Sequence, residues 1–151
     1  MSAHIADLID GLEFFKDFSY PELKLLSGYF GQMQIDKDKV VFNEGDPGSY
    51  MLILIEGKIS IHKTGESGRH LLSYEGKGRI IGEMALLDRE RRSAMCVAES
   101  NCELLTINHE GLEKLSREHP LLAYRFMFSM ARLLSKRLRR TSGVLAEFLL
   151  N

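Results

Sequence analysis

Tryptophan is absent from this sequence, cysteine occurs twice and proline three times. Two cysteines, Cys96 and Cys102, are too few to staple a small secreted scaffold, and no signal-peptide pattern precedes them. They read as buried free thiols of a reducing, cytoplasmic compartment, although their spacing across a strand turn would allow contact. Neither belongs to a metal-binding pattern. Long apolar runs are lacking too. Met51–Ile55 is typical of the longest, and a bilayer span needs about 20 apolar residues, so no membrane helix is expected. Charge of one sign is also missing, with 20 Lys and Arg against 21 Asp and Glu. No global field therefore pulls the chain toward nucleic acid.

What is present suits an ordinary folded domain: 151 residues, 44% hydrophobic and 27% charged, enough to bury a core without covalent help. Ile5, Leu8, Ile9 and Leu12 recur at helical spacing within residues 4–15, followed by Phe14 and Phe15. Ser19-Tyr20-Pro21-Glu22 has the form of a capping box, with proline in the first turn of a helix that stops near Gly31. From Gln32 to Asn108 the pattern changes. Short runs at Val40–Phe42, Tyr50–Ile55, Ile59–Lys63, Leu71–Tyr74, Ile80–Ile81, Ala94–Ala98 and Glu103–Ile107 alternate with glycine- and acid-rich turns, as in a sandwich or jelly roll. Gly45 and Gly57 serve turn geometry there, since glycine tolerates positive φ. Asn108 then caps a short helix ending near Glu118.

His119-Pro120 begins a long amphipathic helix reaching about Phe148. Met127, Ala131, Leu134, Leu138, Thr141, Leu145 and Phe148 step by four and three along a heptad seam. Leu122, Phe126, Met130 and Leu133 form a neighbouring face. One face can cover the strands while the seam meets a second copy, so a homodimer is expected. Gly143 costs such a helix about 1 kcal/mol relative to alanine, and the last turns are expected to fray or kink. Arg132, Lys136, Arg137, Arg139 and Arg140 read as a solvated face.

The informative stretch is Arg79 to Val97. Gly82 ends a strand-like run, Glu83–Leu87 is about one turn of good helix former, and Arg92-Ser93-Ala94 leads back into a strand. A glycine between strand and helix lets backbone N–H groups converge on an anion, usually phosphate. Arg92 can add a charge and a fork of donors. Glu83 would repel phosphate, so its place there points to a neighbouring hydroxyl, such as a ribose 2′-OH beside the phosphate.

Gly82-Glu83-Met84-Ala85-Leu86, with Arg92-Ser93-Ala94 ten residues after the glycine, resembles the phosphate-binding cassette of the cyclic nucleotide-binding domain. That family includes the bacterial catabolite activator protein and the regulatory subunits of cAMP-dependent protein kinase. Val40-Val41-Phe42-Asn43-Glu44-Gly45-Asp46-Pro47-Gly48, continuing through Tyr50–Gly57, resembles the family's glycine-acidic turn between barrel strands. The two motifs stand in the family's order, thirty-seven residues apart from Gly45 to Gly82.

The resemblance implies a mainly β fold with flanking helices: an eight-stranded jelly-roll barrel, N-terminal helices, a short cassette helix and a long C-terminal helix. The expected layout is one domain over 1–151, with N-terminal helices in 1–31, the barrel in 32–108 carrying the cassette at 80–94, and C-terminal helices in 109–151. It implies that Arg92 pairs with the exocyclic phosphate, with Arg91 a lesser rival. Glu83 would hold the ribose, and Gly82, Met84, Ala85 and Ser93 would complete the cradle. Ile61 and Ser73 fall near the family's base wall. Arg137, in an ungapped reading, or Thr141 and Ser142, after a one-turn shift, would close over the base. Ile81 stands where the cassette often has an aromatic residue and Arg91 where the kinase subunits have proline. Ser93 tilts the ligand toward cAMP over cGMP.

The expected function is therefore a cyclic nucleotide sensor acting through a partner or as a homodimer, without metal and without catalysis. One alternative is the sensing half of a truncated DNA-binding transcriptional regulator, because no DNA-reading element follows in this chain. Another is a metal enzyme of cupin type, which would need clustered histidines that His62 and His70 do not supply.

Overall fold

The computed structural model describes residues 2–150, with side chains from His4 onward. Helix α1 (Ser2–Ile9) is followed by a 3₁₀ turn at Glu13–Phe15 and by α2 (Tyr20–Ser27). The helical periodicity of residues 4–15 is broken where Gly11 takes φ +87°, a conformation that glycine adopts without steric penalty. Ser19 caps α2 in both directions. Its hydroxyl accepts from the Glu22 amide, and the Glu22 carboxylate accepts from the Ser19 amide at 2.8 Å.

Eight strands follow: β1 (Gly31–Ile35), β2 (Val40–Phe42), β3 (Tyr50–Glu56), β4 (Ile59–Gly65), β5 (Gly68–Glu75), β6 (Ile80–Ile81), β7 (Met95–Ala98) and β8 (Cys102–Asn108). Between β6 and β7 lies α3 (Glu83–Asp88). The strands form two antiparallel four-stranded sheets, in the orders β1-β8-β3-β6 and β2-β7-β4-β5. This is the jelly roll. β1 is absent from the apolar runs of the sequence because its partly covered residues, Met33 and Ile35, alternate with exposed glutamines on a sheet edge.

The apolar run of β3 is explained by burial on both faces. Leu52 and Leu54 join Phe42, Ile59, Ile81, Cys96 and Leu104 between the sheets. Met51, Ile53 and Ile55 face the other way, into a core made with the helices. There α4 (His109–Glu118), capped by Asn108 at 2.7 Å to the Gly111 amide, and α5 (Pro120–Leu150) close the outer side of the first sheet. Leu122, Ala123, Phe126 and Met130 anchor α5 in that core. Gly143 does not end it, since one helix runs through to Leu150. Beyond Leu134 every described residue of α5 is exposed except Arg137.

Two other points of the sequence reading take their places here. Cys96 and Cys102 are buried free thiols. Among the described residues no helix is long and apolar enough to cross a membrane.

Candidate functional site

A cavity of about 270 Å³ opens where β6 hands over to α3. Gly82 begins α3 at φ +81°, and a Cβ there would run into the Arg92 guanidinium. Both the turn and the close approach therefore require glycine. Arg92 lies beneath it, 4% exposed. Its Nη2 donates to the Tyr50 carbonyl at 2.6 Å and its Nη1 to the Gly82 carbonyl at 3.3 Å, while the buried Nε has no partner. The guanidinium carbon sits 4.1 Å from the Phe42 ring centroid and 4.8 Å from that of Tyr50. Burial pushes the Arg92 pKa down. A buried cation whose donors go to neutral carbonyls keeps much of its desolvation cost, and it is suited to an incoming anion.

The glycine-acidic turn holds this arginine in place. The Gly45 amide donates to the Arg92 carbonyl and the Arg92 amide to the Asp46 carbonyl, both at 2.8 Å. Asp46 in turn accepts from the Asn43 amide at 2.9 Å, and Arg91 reaches the Gly45 carbonyl at 2.8 Å. Gly48 abuts α3 so closely that a Cβ would strike Ala85. The two sequence signatures thus lock to each other. Arg91 spends its head group on that lock, on the exposed side, whereas Arg92 points inward.

Of the residues singled out in the sequence, Gly82, Glu83, Met84, Ala85, Arg92, Ser93, Ile61 and Arg137 all line the cavity. Ser73 and Thr141 do not. A row crosses the second sheet in register, Phe42 to Cys96 to Ile61 to Ser73. Its first three members floor the cavity, and Ser73 lies one strand too far, its hydroxyl donating to Glu75 at 3.2 Å. Thr141 is one turn past Arg137 on α5 and exposed. The residues that sequence reasoning missed are Phe42 and Cys96, which reach the cavity through strand pairing, and Arg79, which directly precedes β6. Only the register could have revealed the first two.

Glu83, 6% exposed, accepts from Arg137 Nη1, and Arg137 Nη2 donates to the Ile80 carbonyl at 2.8 Å. A carboxylate buried this deeply is tolerated because a guanidinium matches it. The contact also ties the far half of α5 to the cassette. Cys96 contributes no nucleophile, because burial pushes its thiol up to about 12, which keeps it neutral. What the cavity assembles is an apolar floor, a buried guanidinium, a carboxylate, and the amides of Met84 and Ala85 in the first turn of α3, where N–H groups lack intrahelical acceptors. Such a set is chemically suited to an anion that carries hydroxyl and apolar parts.

Histidine chemistry gathers elsewhere. His62 is hydrogen-bonded to Ser60 at 2.8 Å and His70 to Ser67 at 2.9 Å. Among the described residues no three His, Cys, Asp or Glu side chains are grouped to hold a metal ion.

Comparison with known proteins agrees with this geometry. The family model described as "Cyclic nucleotide-binding domain" matches residues 32–119. The chain is 34% identical over 130 residues to the cyclic AMP receptor protein of Thermus thermophilus, covering 85% of this chain and 58% of that protein. It is 28% identical over 110 residues to the CRP-like cAMP-activated global transcriptional regulator of Mycobacterium tuberculosis, covering 72% of this chain and 47% of the relative. The chain thus spans about half the length of these curated relatives. Among solved structures, a cyclic nucleotide-binding domain from Methylobacillus flagellatus superposes with a TM-score of 0.84 at 28% identity, covering 96% of this chain and 82% of the other. With the fold, the interlocked signatures and a family match over most of the barrel in agreement, the chain belongs to the cyclic nucleotide-binding domain family.

Proposed function

We propose that this domain is a cAMP sensor that acts by binding and not by catalysis. The observation that carries the reading is Arg92, a buried guanidinium beneath Gly82 with two donors on carbonyls and one unpartnered. The exocyclic phosphate of a cyclic nucleotide would take that charge, with the Met84 and Ala85 amides and the Ser93 hydroxyl completing its cradle. Glu83 would accept from the ribose 2′-OH, and the purine would lie along Phe42, Cys96 and Ile61. Serine after the arginine favours cAMP over cGMP. The curated relatives are described as a receptor of cyclic AMP and a cAMP-activated transcriptional regulator, and the sensing part of a regulator is the setting this reading fits. Calorimetric titration tests it. Saturable one-to-one cAMP binding, tighter than that of cGMP, is the expected result, and no binding of either nucleotide would overturn the proposal.

The second half of α5 supports a homodimer. Leu138, Leu145 and Phe148 are 67%, 55% and 78% exposed on the heptad seam, and exposed apolar stripes of this length mark association surfaces. A second copy packing its own α5 along the seam would cover them. Sedimentation velocity should give a dimer for the wild type and a monomer for Leu138→Glu. A monomeric wild type at micromolar concentration would exclude this arrangement.

A further inference from the structure

A second cavity, of about 210 Å³, lies on the other side of Arg137 from the nucleotide cavity. Its walls are the 3₁₀ turn at Glu13–Phe15, the turn before β6 at Gly78–Arg79, and α5 from Ser129 to Arg137. Arg79, Ile80 and Arg137 belong to both cavities. Its apolar lining is Phe14, Ile80 and Leu133. Around that lining stand five cations, Lys16, Arg79, Arg132, Lys136 and Arg137, and only two carboxylates, Glu13 and Asp17.

The carboxylates are already engaged. Glu13 pairs with Lys16 at 2.8 Å and Asp17 with Arg132 at 2.8 Å. Arg79 leans on Glu75 at 3.2 Å and Arg137 on Glu83. Among the described residues no salt bridge engages Lys136, and the buried Nε of Arg137 has no hydrogen-bond partner. Four of the five cations thus have a carboxylate partner, and Lys136 is the one that does not. Burial first, and then the Arg137 charge, push the Arg79 pKa below the ordinary arginine range, against the opposing pull of Glu75 and Glu83. An anion entering the cleft would pair Lys136 and ease the repulsion between Arg79 and Arg137. A doubly charged phosphate group with several acceptor oxygens matches the excess of donors better than a single carboxylate.

We infer that this cleft is a second binding site, for a phosphomonoester with a compact apolar body, coupled to the nucleotide cavity through Arg137. The phosphate takes Lys136, Arg79 and the free Nε of Arg137, and the apolar body lies on Phe14 and Leu133. Drawing Arg137 toward the cleft loosens its hold on Glu83 and frees that carboxylate for a ribose hydroxyl. Occupation of the cleft therefore raises nucleotide affinity, and by linkage the nucleotide raises affinity for the phosphomonoester by the same factor. The coupling rests on the nucleotide reading above, whereas the anion site does not.

Phenyl phosphate is the probe, titrated calorimetrically into the full chain with and without saturating cAMP. Saturable binding is expected without nucleotide, weakened about tenfold by Lys136→Glu, as for loss of a charged hydrogen bond. Lys37→Glu, an exposed lysine outside the cleft, should leave it unchanged, and inorganic phosphate should bind more weakly. Saturating cAMP should tighten phenyl phosphate about threefold or more. No saturable binding at millimolar concentration, or equal weakening by the two lysine variants, overturns the site. Displacement of the probe by cAMP places it in the nucleotide cavity and overturns it as well, and an affinity unmoved by cAMP overturns the coupling. Should cAMP itself fail to bind, the sensor reading falls, while the nucleotide-free titration still decides the cleft.

Discussion

Arg92→Met should lower cyclic nucleotide affinity roughly a hundredfold or more, from the loss of two charged hydrogen bonds at about 1.5–3 kcal/mol each. The same variant should melt no lower than the wild type. The second half of this expectation is what separates a ligand-binding arginine from a structural one. In the free protein Arg92 is buried against Phe42 and Tyr50, and its hydrogen bonds go to the Tyr50 and Gly82 carbonyls. Those contacts recover part of the cost of removing a guanidinium from water, but Nε is left without an acceptor. Removing a buried charge that no carboxylate pairs recovers its desolvation cost, which offsets the two hydrogen bonds lost to the carbonyls. Methionine can follow the same path between the two rings, because its thioether is flexible and packs well on aromatics. Thermal melts and calorimetric cAMP titrations on the two proteins decide the matter. A variant that melts well below the wild type, or one that still binds cAMP with wild-type affinity, would show that Arg92 serves the fold.

The Arg137–Glu83 contact gives the free state its own logic. Glu83 is not idle before ligand arrives, because the guanidinium from α5 already occupies one of its oxygens. The cassette and the long helix are therefore joined in the absence of nucleotide, and the same pair of residues stands where the ribose is proposed to bind. A ligand can shift α5 only to the extent that it favours one arrangement of that contact over the other.

Much of this was legible in the chain. Gly82 and Arg92 announce themselves because a glycine with positive φ and a close guanidinium leave a fixed spacing. Ser19 with Glu22, and Asn108, are legible because caps are local chemistry, set within three residues of the helix start. The seam of α5 follows from periodicity alone. What escaped depends on partners distant in sequence. β1 carries a weak alternation that becomes a strand only against β8. Phe42 and Cys96 become neighbours only through the β2–β7 register. The choice between Arg137 and Thr141 turns on how far along α5 the core anchors the helix, which one turn of sequence cannot fix. The last turns, expected to fray or kink, stay helical past Gly143 to Leu150, since a propensity cost of about 1 kcal/mol is small beside the neighbours' preference for helix.

Phe126→Ala should cost about 3–5 kcal/mol of stability. Against a total of about 5–15 kcal/mol for a typical protein, that leaves a marginal fold. Phe126 is fully buried and meets Phe14 edge-on at 5.5 Å and Phe30 at 6.3 Å. It is the largest of the four side chains that anchor α5, with Leu122, Ala123 and Met130 beside it. Its removal leaves a cavity bounded by three different elements, α5, the 3₁₀ turn and the segment leading into β1. Those elements belong to separate parts of the chain, so the void cannot close by a single local shift. The melting temperature should fall by about 6–20 °C, at the 2–4 °C per kcal/mol typical of this chain length. Arg137 lies three turns further along the same helix, hydrogen-bonded to Glu83 and to the Ile80 carbonyl. Loosening the anchor therefore also weakens the positioning of Arg137. Saturating cAMP should restore part of the lost stability in Phe126→Ala through mass action. A drop of under about 3 °C, roughly 1 kcal/mol, would mean that α5 is held by contacts other than this aromatic cluster.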